Sequence, residues 1–217
     1  MFPLILKTDQ DVAVPPGPVY YMLAQQGLYL VKHSALFTTT TKVVGLPWLA
    51  PHAEGFQLHL PKLPAAVLLR AWAFFRAVYA RYQSEAIVFW FLTDRGDFEL
   101  TAPTQEVSPL ACFYEPDTTP EGWVRAGTIH SHGQIAAAHS LVDEEDERYD
   151  DGIHITLGNI LSEPSIDCEL VVGDTRFVLH PSDVLDGLGS GDWVAPDPLS
   201  FPQEWLNRVQ GLPVEPQ

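Results

Sequence analysis

Two kinds of hydrophobic pattern follow one another in the central part of the chain. Between Pro64 and Gln83 apolar residues recur at steps of three and four, which predicts one long helix with a buried face. The next stretch, 84–92, is largely apolar, and a Thr-Asp-Arg-Gly turn joins it to an extended segment at 97–102. We therefore predict a helix followed by a buried β-hairpin.

Further extended segments follow towards the C-terminus. Residues 124–132 form a predicted strand, and a loop then leads to Ser140, which is placed to begin a second helix with an acidic first turn. Residues 152–160 and 166–180 predict three more strands. This succession of helices and strands places the chain in the α/β class.

Composition divides the chain into three parts. Residues 1–60 contain extended segments rich in β-branched and aromatic residues, and four prolines between positions 47 and 64 mark their end. We predict a β-rich N-terminal module at 1–60, a compact α/β domain at 61–186 and an extended Pro/Gly-rich tail at 187–217.

Composition and charge narrow the classes of function. Hydrophobic residues make up 46 % of the 217 positions, which is enough for a packed core. The net charge of −16 disfavours binding to nucleic acid or to an anionic membrane surface. Cys112 and Cys168 are too few and too far apart for a disulfide framework or a cysteine-based zinc site. No signal peptide or membrane-spanning run is present, so we expect a soluble, cytoplasmic protein.

One stretch carries candidate chemistry: residues 127–143 read GTIHSHGQIAAAHSLVD. His130 and His132 are two residues apart, so on a strand both imidazoles leave the same face and can reach one cation. Asp143 adds a carboxylate from the predicted helix. Three nitrogen and oxygen ligands with a fourth place left for water are typical of catalytic zinc. The sequence therefore predicts a Zn2+ site.

Each part of this stretch also has an explanation without a metal. Ser140 and Asp143 have the spacing of a capping box at a helix start. Eight histidines in 217 positions predict about 0.3 His-x-His pairs by chance, although requiring Ser140 and Asp143 at fixed offsets lowers that figure by more than about two orders of magnitude. The other acids of 143–151 are predicted to form a solvated helix face. His139 and His154 lie nearby in sequence, and a supporting role for His154 is left open.

Glu85 is the one charged residue at the start of the apolar strand 84–92. A carboxylate there is costly unless it is near the surface, paired or functional. Considered by itself, it is most simply explained as a strand that begins at the surface. Other upstream acids, such as Glu99 and Glu106, come later than the first strand of the hairpin.

The complete set of residues resembles the JAMM (MPN+) zinc metalloprotease signature. His130, His132, Ser140 and Asp143 have its spacing, and an acid stands upstream at the start of an apolar strand after a long helix. The resemblance implies that both histidines and Asp143 bind zinc, that Glu85 is the general acid/base and that Ser140 stabilises the oxyanion. The family's acid precedes the hairpin, which favours Glu85.

The resemblance also implies a fold and a narrower group. The fold is an MPN-type curved mixed β-sheet between helices, with cytidine-deaminase-like layers, over a JAB/MPN-like catalytic domain at 61–186 and with a β-rich N-terminal extension. The compact chain is closer to bacterial JAB-like proteins than to proteasomal subunits, and more narrowly it resembles the A proteins of the bacterial PRTRC gene system. The departure from the commoner motif is Gly133, where many members have proline, which predicts a more mobile loop.

The implied function is zinc-dependent hydrolysis of an amide bond at the C-terminal tail of a ubiquitin-like protein, in precursor processing or in deubiquitinase-like deconjugation. The implied partners are a ubiquitin-like protein or its conjugates and an E1/ThiF-like protein of the same system. An alternative is a non-catalytic MPN-type scaffold in a bacterial ubiquitin-like or plasmid-associated system, against which the intact set of ligands argues. A zinc deaminase needs both H-x-E and P-C-x-x-C, and P-C-x-x-C is absent from the sequence. A helix-borne zincin needs HExxH, which is also absent.

Overall fold

The computed structural model describes residues 3–8, 15–44, 50–109, 111–115, 118–138, 147–148, 150–187, 193–194, 196–197 and 200–212. The chain divides into two compact units, Met1–Leu60 and Pro61–Gln217. In the described residues, the smaller unit has one β-sheet and the larger unit has three. Among the described residues, no helix combines the length and the hydropathy that crossing a membrane requires.

The smaller unit contains a five-stranded sheet. Its strands, β1 to β5 in both chain and spatial order, are Leu4–Leu6, Val19–Ala24, Gly27–His33, Phe37–Val44 and Gly55–Leu58. The β1–β2 pair is parallel and the other neighbours are antiparallel. Apolar residues two positions apart lie on one face of a strand, and here they form a core. Its buried members are Tyr20, Met22, Ala24, Tyr29 and Val31.

The larger unit begins with a long helix, α1, over Ala65–Tyr82, which confirms the helix predicted from the hydrophobic periodicity. Pro64 precedes its first turn, where a missing N–H leaves no helical hydrogen bond unmade. Gln83 ends the helix in the left-handed conformation, with φ of 53° and its N–H bonded to the Tyr79 carbonyl. The buried side chains of α1 are Val67, Leu68, Ala71, Trp72, Ala73, Phe74, Phe75 and Val78.

A six-stranded mixed sheet is the centre of the larger unit. The strands of this unit are β6 Leu63–Pro64, β7 Ile87–Leu92, β8 Phe98–Thr101, β9 Gln105–Ser108, β10 Ala111–Tyr114, β11 Val124–Ser131, β12 Gly152–Gly158, β13 Ser165–Val172, β14 Thr175–Val178, β15 Leu185–Asp186 and β16 Val209–Gly211. The six-stranded sheet has the order β14-β13-β12-β11-β7-β8. Within it β11 and β12 are parallel and all other neighbours are antiparallel.

These elements make a mixed α/β protein that is rich in strands, as the sequence predicts. The β7–β8 hairpin, the histidine-bearing strand β11 and the three strands β12 to β14 all lie where the pattern places them. At Gly127 the pairing of β11 with β7 shifts by one residue, and a β-carbon there would lie 1.9 Å from the Ile153 carbonyl oxygen. Glycine is therefore required at this bulge. The layered MPN arrangement stays a prediction.

Part of the segment predicted as an extended tail packs against the larger unit. A 3-10 helix at Gln203–Arg208 leads into β16, which pairs with β9 in a small sheet of order β10-β9-β16. Phe201 and Trp205 are buried, and both ring centroids lie 5.5 Å from that of Phe74 in α1. The aromatic contacts remove this segment from solvent, so residues 201–211 belong to the packed domain.

Candidate metal centre

Two neighbouring strands, β7 and β11, meet beside the predicted histidine pair at one end of the six-stranded sheet. In the antiparallel β7–β11 pair, Ile87 lies opposite His130. The pairing continues by one residue, because the Ser131 N–H donates to the Ala86 carbonyl at 3.0 Å and the Ser131 Oγ accepts from the Ala86 N–H at 3.2 Å. β7 begins at Ile87 and β11 ends at Ser131; extended by one more residue, this register would bring Glu85 opposite His132, on the face that carries both histidines.

The two histidines are close enough to share one metal ion. The Nε2 atoms of His130 and His132 are 3.2 Å apart, and the ring centroids are 5.0 Å apart. Two nitrogens bound to one tetrahedral zinc at about 2.0 Å lie about 3.3 Å from each other. His130 is 8 % exposed and His132 is half-buried, so the pair lies between core and solvent. Spacing, donor type and access all fit zinc.

A buried glutamine fixes the start of β7 beside this pair. The Gln105 Nε2 donates to the Ile87 carbonyl at 3.0 Å, and its Oε1 accepts from the Ile87 N–H at 3.0 Å. The side-chain amide thus satisfies both backbone groups of Ile87, as a neighbouring strand would. Gln105 is 1 % exposed, so its side-chain amide also obtains from Ile87 the hydrogen bonds that water would otherwise supply. They hold the backbone two residues after Glu85.

The remaining predicted site residues lie outside the described residues. Ser140 and Asp143, together with His139, belong to the stretch 139–146. In the part of the chain that the structure describes, no three His, Cys, Asp or Glu side chains form a group that could hold a metal. The structure therefore brings the two histidines together, while the roles of Glu85, Asp143 and Ser140 stay predictions.

The turn after His132 requires glycine. Gly133 has φ of 55°, in the left-handed region that proline cannot adopt. A β-carbon at this position would lie 2.7 Å from the Cε2 atom of Tyr79. The turn is bonded on both sides, because the Gly133 carbonyl accepts from the Ile160 N–H and the His132 N–H donates to the Leu157 carbonyl, each at 2.9 Å. Conformation and space explain why glycine stands where the family resemblance expects proline.

Buried polar side chains continue from the histidines along the same face of the sheet. Thr156 lies opposite His130, with its Oγ1 3.2 Å from the His130 Nε2. The Thr128 Oγ1 is 2.8 Å from the Nδ1 of His154, whose Nε2 is 2.9 Å from the Asp150 carbonyl oxygen. Thr128, His154 and Thr156 are fully buried, so they depend on these protein partners for hydrogen bonds. His154, whose role the sequence left open, is thus a member of a buried polar layer.

Glu147 covers this layer, and the prediction that it lies on a solvated face is wrong. It is 4 % exposed. Its Oε1 lies 3.3 Å from the His154 Nδ1 and 4.0 Å from the His130 Nδ1. The Nη1 of Arg176 donates to the Glu147 Oε2 at 2.7 Å and to the Glu169 Oε2 at 2.8 Å. Because burying a carboxylate without a counter-charge is costly, this arginine from β14 makes the burial of Glu147 possible.

Asp150 also departs from the predicted solvated face. Its Oδ2 accepts from the Arg125 Nη2 at 2.6 Å, and both side chains are about three-quarters buried, with 25 % and 23 % exposure. Burial raises the pKa of the Asp150 carboxyl above its ordinary value; the Arg125 guanidinium opposes this shift and Asp151 adds to it. The acidic run therefore contributes two charges to the packed structure.

Sequence reasoning missed this polar layer, although one signal for it exists. The stretch 152–158 reads GIHITLG and alternates apolar and polar residues, as a strand with one solvated face does, yet every residue in it is buried. That alternation identifies His154 and Thr156 as polar residues on a common face. No local signal identifies Glu147 or Arg176, because their pairing spans 29 residues of sequence.

The fold and the site together define a strand-rich α/β protein with a histidine pair suited to a metal. No family model matches the chain, and no curated protein matches it. Among solved structures it is similar to a JAB1/MPN domain protein from Archaeoglobus fulgidus, with 17 % identity and a TM-score of 0.36, over 56 % of this chain and 94 % of that one. A TM-score below 0.5 does not establish a shared fold, so the function is inferred from the residues of this chain.

Proposed function

We propose that the chain is a JAMM-type zinc peptidase or isopeptidase of a bacterial cytoplasm. The observation that carries this proposal is the 3.2 Å separation of the His130 and His132 Nε2 atoms, which matches two ligands of one zinc ion. The pairing of β7 with β11 supports the assignment of Glu85, because extending it by one residue would bring Glu85 opposite His132. Asp143 is the proposed third ligand and Ser140 the proposed oxyanion donor, both from the sequence motif.

Each side chain has a distinct task in the proposed reaction. Zinc, when bound, supplies a Lewis acid for the substrate carbonyl and lowers the pKa of a water molecule. The two histidines and Asp143 hold the ion. Glu85 accepts a proton from the attacking water and delivers it to the departing amine, which returns the carboxylate to its starting state. The Ser140 hydroxyl donates a hydrogen bond to the carbonyl oxygen as that oxygen gains negative charge.

The proposed substrate is the C-terminal tail of a ubiquitin-like protein, cleaved during precursor processing or released from a conjugate. This substrate and an E1/ThiF-like partner come from the resemblance to the PRTRC A proteins. An extended tail suits a site at the end of a sheet, because its backbone can pair with a strand edge. The net charge of −16 favours a protein substrate over nucleic acid.

Metal content and cleavage, measured on the same preparations, test the proposal. Wild type is expected to hold one zinc ion per chain and to cleave a ubiquitin-like protein fused or isopeptide-linked to a reporter. His132→Ala is expected to lose the metal. Glu85→Gln is expected to keep it and to lose cleavage by about 100-fold or more, since general acid/base catalysis supplies a factor of that order.

Glu99→Gln is the matched control for Glu85→Gln. Glu99 is an exposed glutamate on β8, and its Oε2 lies 3.7 Å from the Arg70 Nη1. We expect unchanged zinc content and cleavage in this variant. Zinc-free wild type after preparation without chelators would overturn the proposal. Zinc-loaded wild type that cleaves no ubiquitin-like fusion or conjugate would instead favour the non-catalytic scaffold.

A further inference from the structure

Glu147 lies behind the histidine pair, on the side away from the shared Nε2 atoms. We propose that Glu147 is a positioning residue for His130: it holds the ring in the tautomer that protonates Nδ1 and leaves the Nε2 lone pair for a metal ion. The consequence for metal binding rests on the proposed function. The consequence for the tautomer does not, because it concerns the metal-free chain.

The orientation of the His130 ring is the first step. Its Nε2 faces the His132 Nε2 and the Thr156 Oγ1, each at 3.2 Å, whereas its Nδ1 faces the Glu147 Oε1 at 4.0 Å. A metal-binding histidine commonly directs its second ring nitrogen at a carboxylate, which fixes the tautomer and makes the ligating nitrogen more basic. His130 has this arrangement of its two nitrogens.

The second step concerns His154, the other ring beside Glu147. The His154 Nε2 lies 2.9 Å from the Asp150 carbonyl oxygen, which accepts only, so Nε2 carries a proton. Its Nδ1 lies 2.8 Å from the Thr128 Oγ1, which can donate. Both nitrogens of a neutral His154 therefore have partners other than Glu147. His154 thus has two partners besides the carboxylate, although its Nδ1 lies closer to the Glu147 Oε1, at 3.3 Å, than the His130 Nδ1 does, at 4.0 Å.

The third observation is the net charge of the group formed by Glu147, Arg176 and Glu169. Arg176 binds Glu147 and Glu169 through one Nη1 atom, and the three side chains are 18 %, 5 % and 13 % exposed. Two carboxylates and one guanidinium carry a net charge of −1 in a region with little water. Such a charge attracts the N–H dipole of an imidazole beside it, and for His130, whose Nε2 points away from Glu147, it also stabilises a cation held on the far side of the ring. At 4.0 Å the contact with His130 is electrostatic and longer than a hydrogen bond.

Tautomer measurement on the metal-free, full-length wild type tests the assignment directly. Long-range nitrogen–proton correlation spectra of the histidine rings, assigned with a His130→Asn variant, report which nitrogen is protonated. We expect His130 to be protonated at Nδ1, and we expect Glu147→Gln to reduce that population. Protonation of His130 predominantly at Nε2 in the wild type would overturn the proposal, whether or not the chain binds zinc.

Zinc affinity, measured by competition with a chromophoric chelator, is the second readout. Glu147→Gln is expected to bind zinc about 10-fold to 100-fold more weakly than wild type, the range found for partners of metal-binding histidines.

Asp150→Asn is the matched control, since it removes a charge-assisted contact from the same acidic run and leaves the His130 surroundings intact. The zinc affinity of this control is expected to stay within about threefold of the wild-type value. Equal affinities of wild type and Glu147→Gln would overturn the positioning role while leaving the proposed zinc site standing. A wild type that binds no zinc overturns the proposed function, and the tautomer spectrum still decides the role of Glu147.

Discussion

The two faces of the six-stranded sheet differ in chemistry although the same strands build both. In β11, Ile129 and His130 are neighbours in sequence, and in β12 Ile155 and Thr156 are neighbours. Ile129 and Ile155 lie opposite each other on one face, while His130 and Thr156 lie opposite each other on the other face. Each of these four residues is buried. Residues on both faces are therefore buried. The faces differ in whether these side chains pack against apolar groups or bond to polar ones.

That difference separates stability from chemistry. The aliphatic face is stabilised by removing apolar surface from water, which needs no specific geometry beyond close packing. The polar face is compatible with burial because Thr128, His154, Thr156 and Glu147 find protein partners, and a network of this kind fixes the orientation of each member. A histidine pair aimed at a metal needs such fixed orientation.

The largest effect on stability is expected from the aliphatic face. Ile155→Ala removes fully buried methyl groups and leaves a cavity, which should lower the free energy of unfolding by about 3 kcal/mol. Thr156→Val keeps the volume on the polar face and should cost about 1 kcal/mol. Denaturant unfolding followed by tryptophan fluorescence measures both, because five of the six tryptophans lie after residue 60. Equal losses in the two variants would remove the contrast between the faces.

A smaller effect is expected when the polar face loses its cation. Arg176→Met leaves Glu147 and Glu169 without their shared donor and should lower the free energy of unfolding by about 2 kcal/mol. This loss is smaller than that for breaking a fully buried ion pair, because Arg176 is partly exposed. The double variant with Glu147→Gln should recover part of that loss, because one carboxylate no longer needs a counter-charge. A double variant less stable than either single variant would show that the pairing with Arg176 does not account for the burial of Glu147.

The smallest effect is a difference in thiol reactivity that leaves stability unchanged. Cys168 lies opposite Ile155 on the aliphatic face and is fully buried, while Cys112 is half-buried. Burial raises the pKa of the Cys168 thiol, and Asp167 adds to this shift, so the reactive thiolate is scarce as well as shielded. A disulfide reagent such as Ellman's should label one thiol in the folded protein and two in denaturant. Rapid labelling of both in the folded protein would contradict the assignment of Cys168 to a closed core.

Much of the larger unit follows from local patterns. Steps of three and four predict α1, and the apolar run after it predicts β7, because one element's own residues create each signal. The spacing of His130 and His132 on a strand predicts that their rings share a face, and their Nε2 atoms are 3.2 Å apart. The place of Glu85 needed the pairing of β7 with β11, which is a contact between segments about 45 residues apart.

The acidic run shows where local patterns fail. Its composition resembles a solvated helix face, yet Glu147 is 4 % exposed and bound to Arg176. Whether a charge is buried depends on the free energy of losing water set against that of gaining a partner, and the partner here comes from a distant strand. Alternation in 152–158 likewise marks two faces without stating whether water or protein covers the polar one.

The sequence by itself determined α1, the strands β7, β8 and β11 to β14, and a histidine pair able to reach one cation, because spacing along a regular backbone fixes which side chains share a face. The tertiary structure alone decided what lies behind that pair. It brought His154, Glu169 and Arg176 to one face of the sheet, since parallel and antiparallel pairing of β11 to β14 joins residues that no sequence period connects, and Glu147 joins them from the turn before β12 through its bond to Arg176.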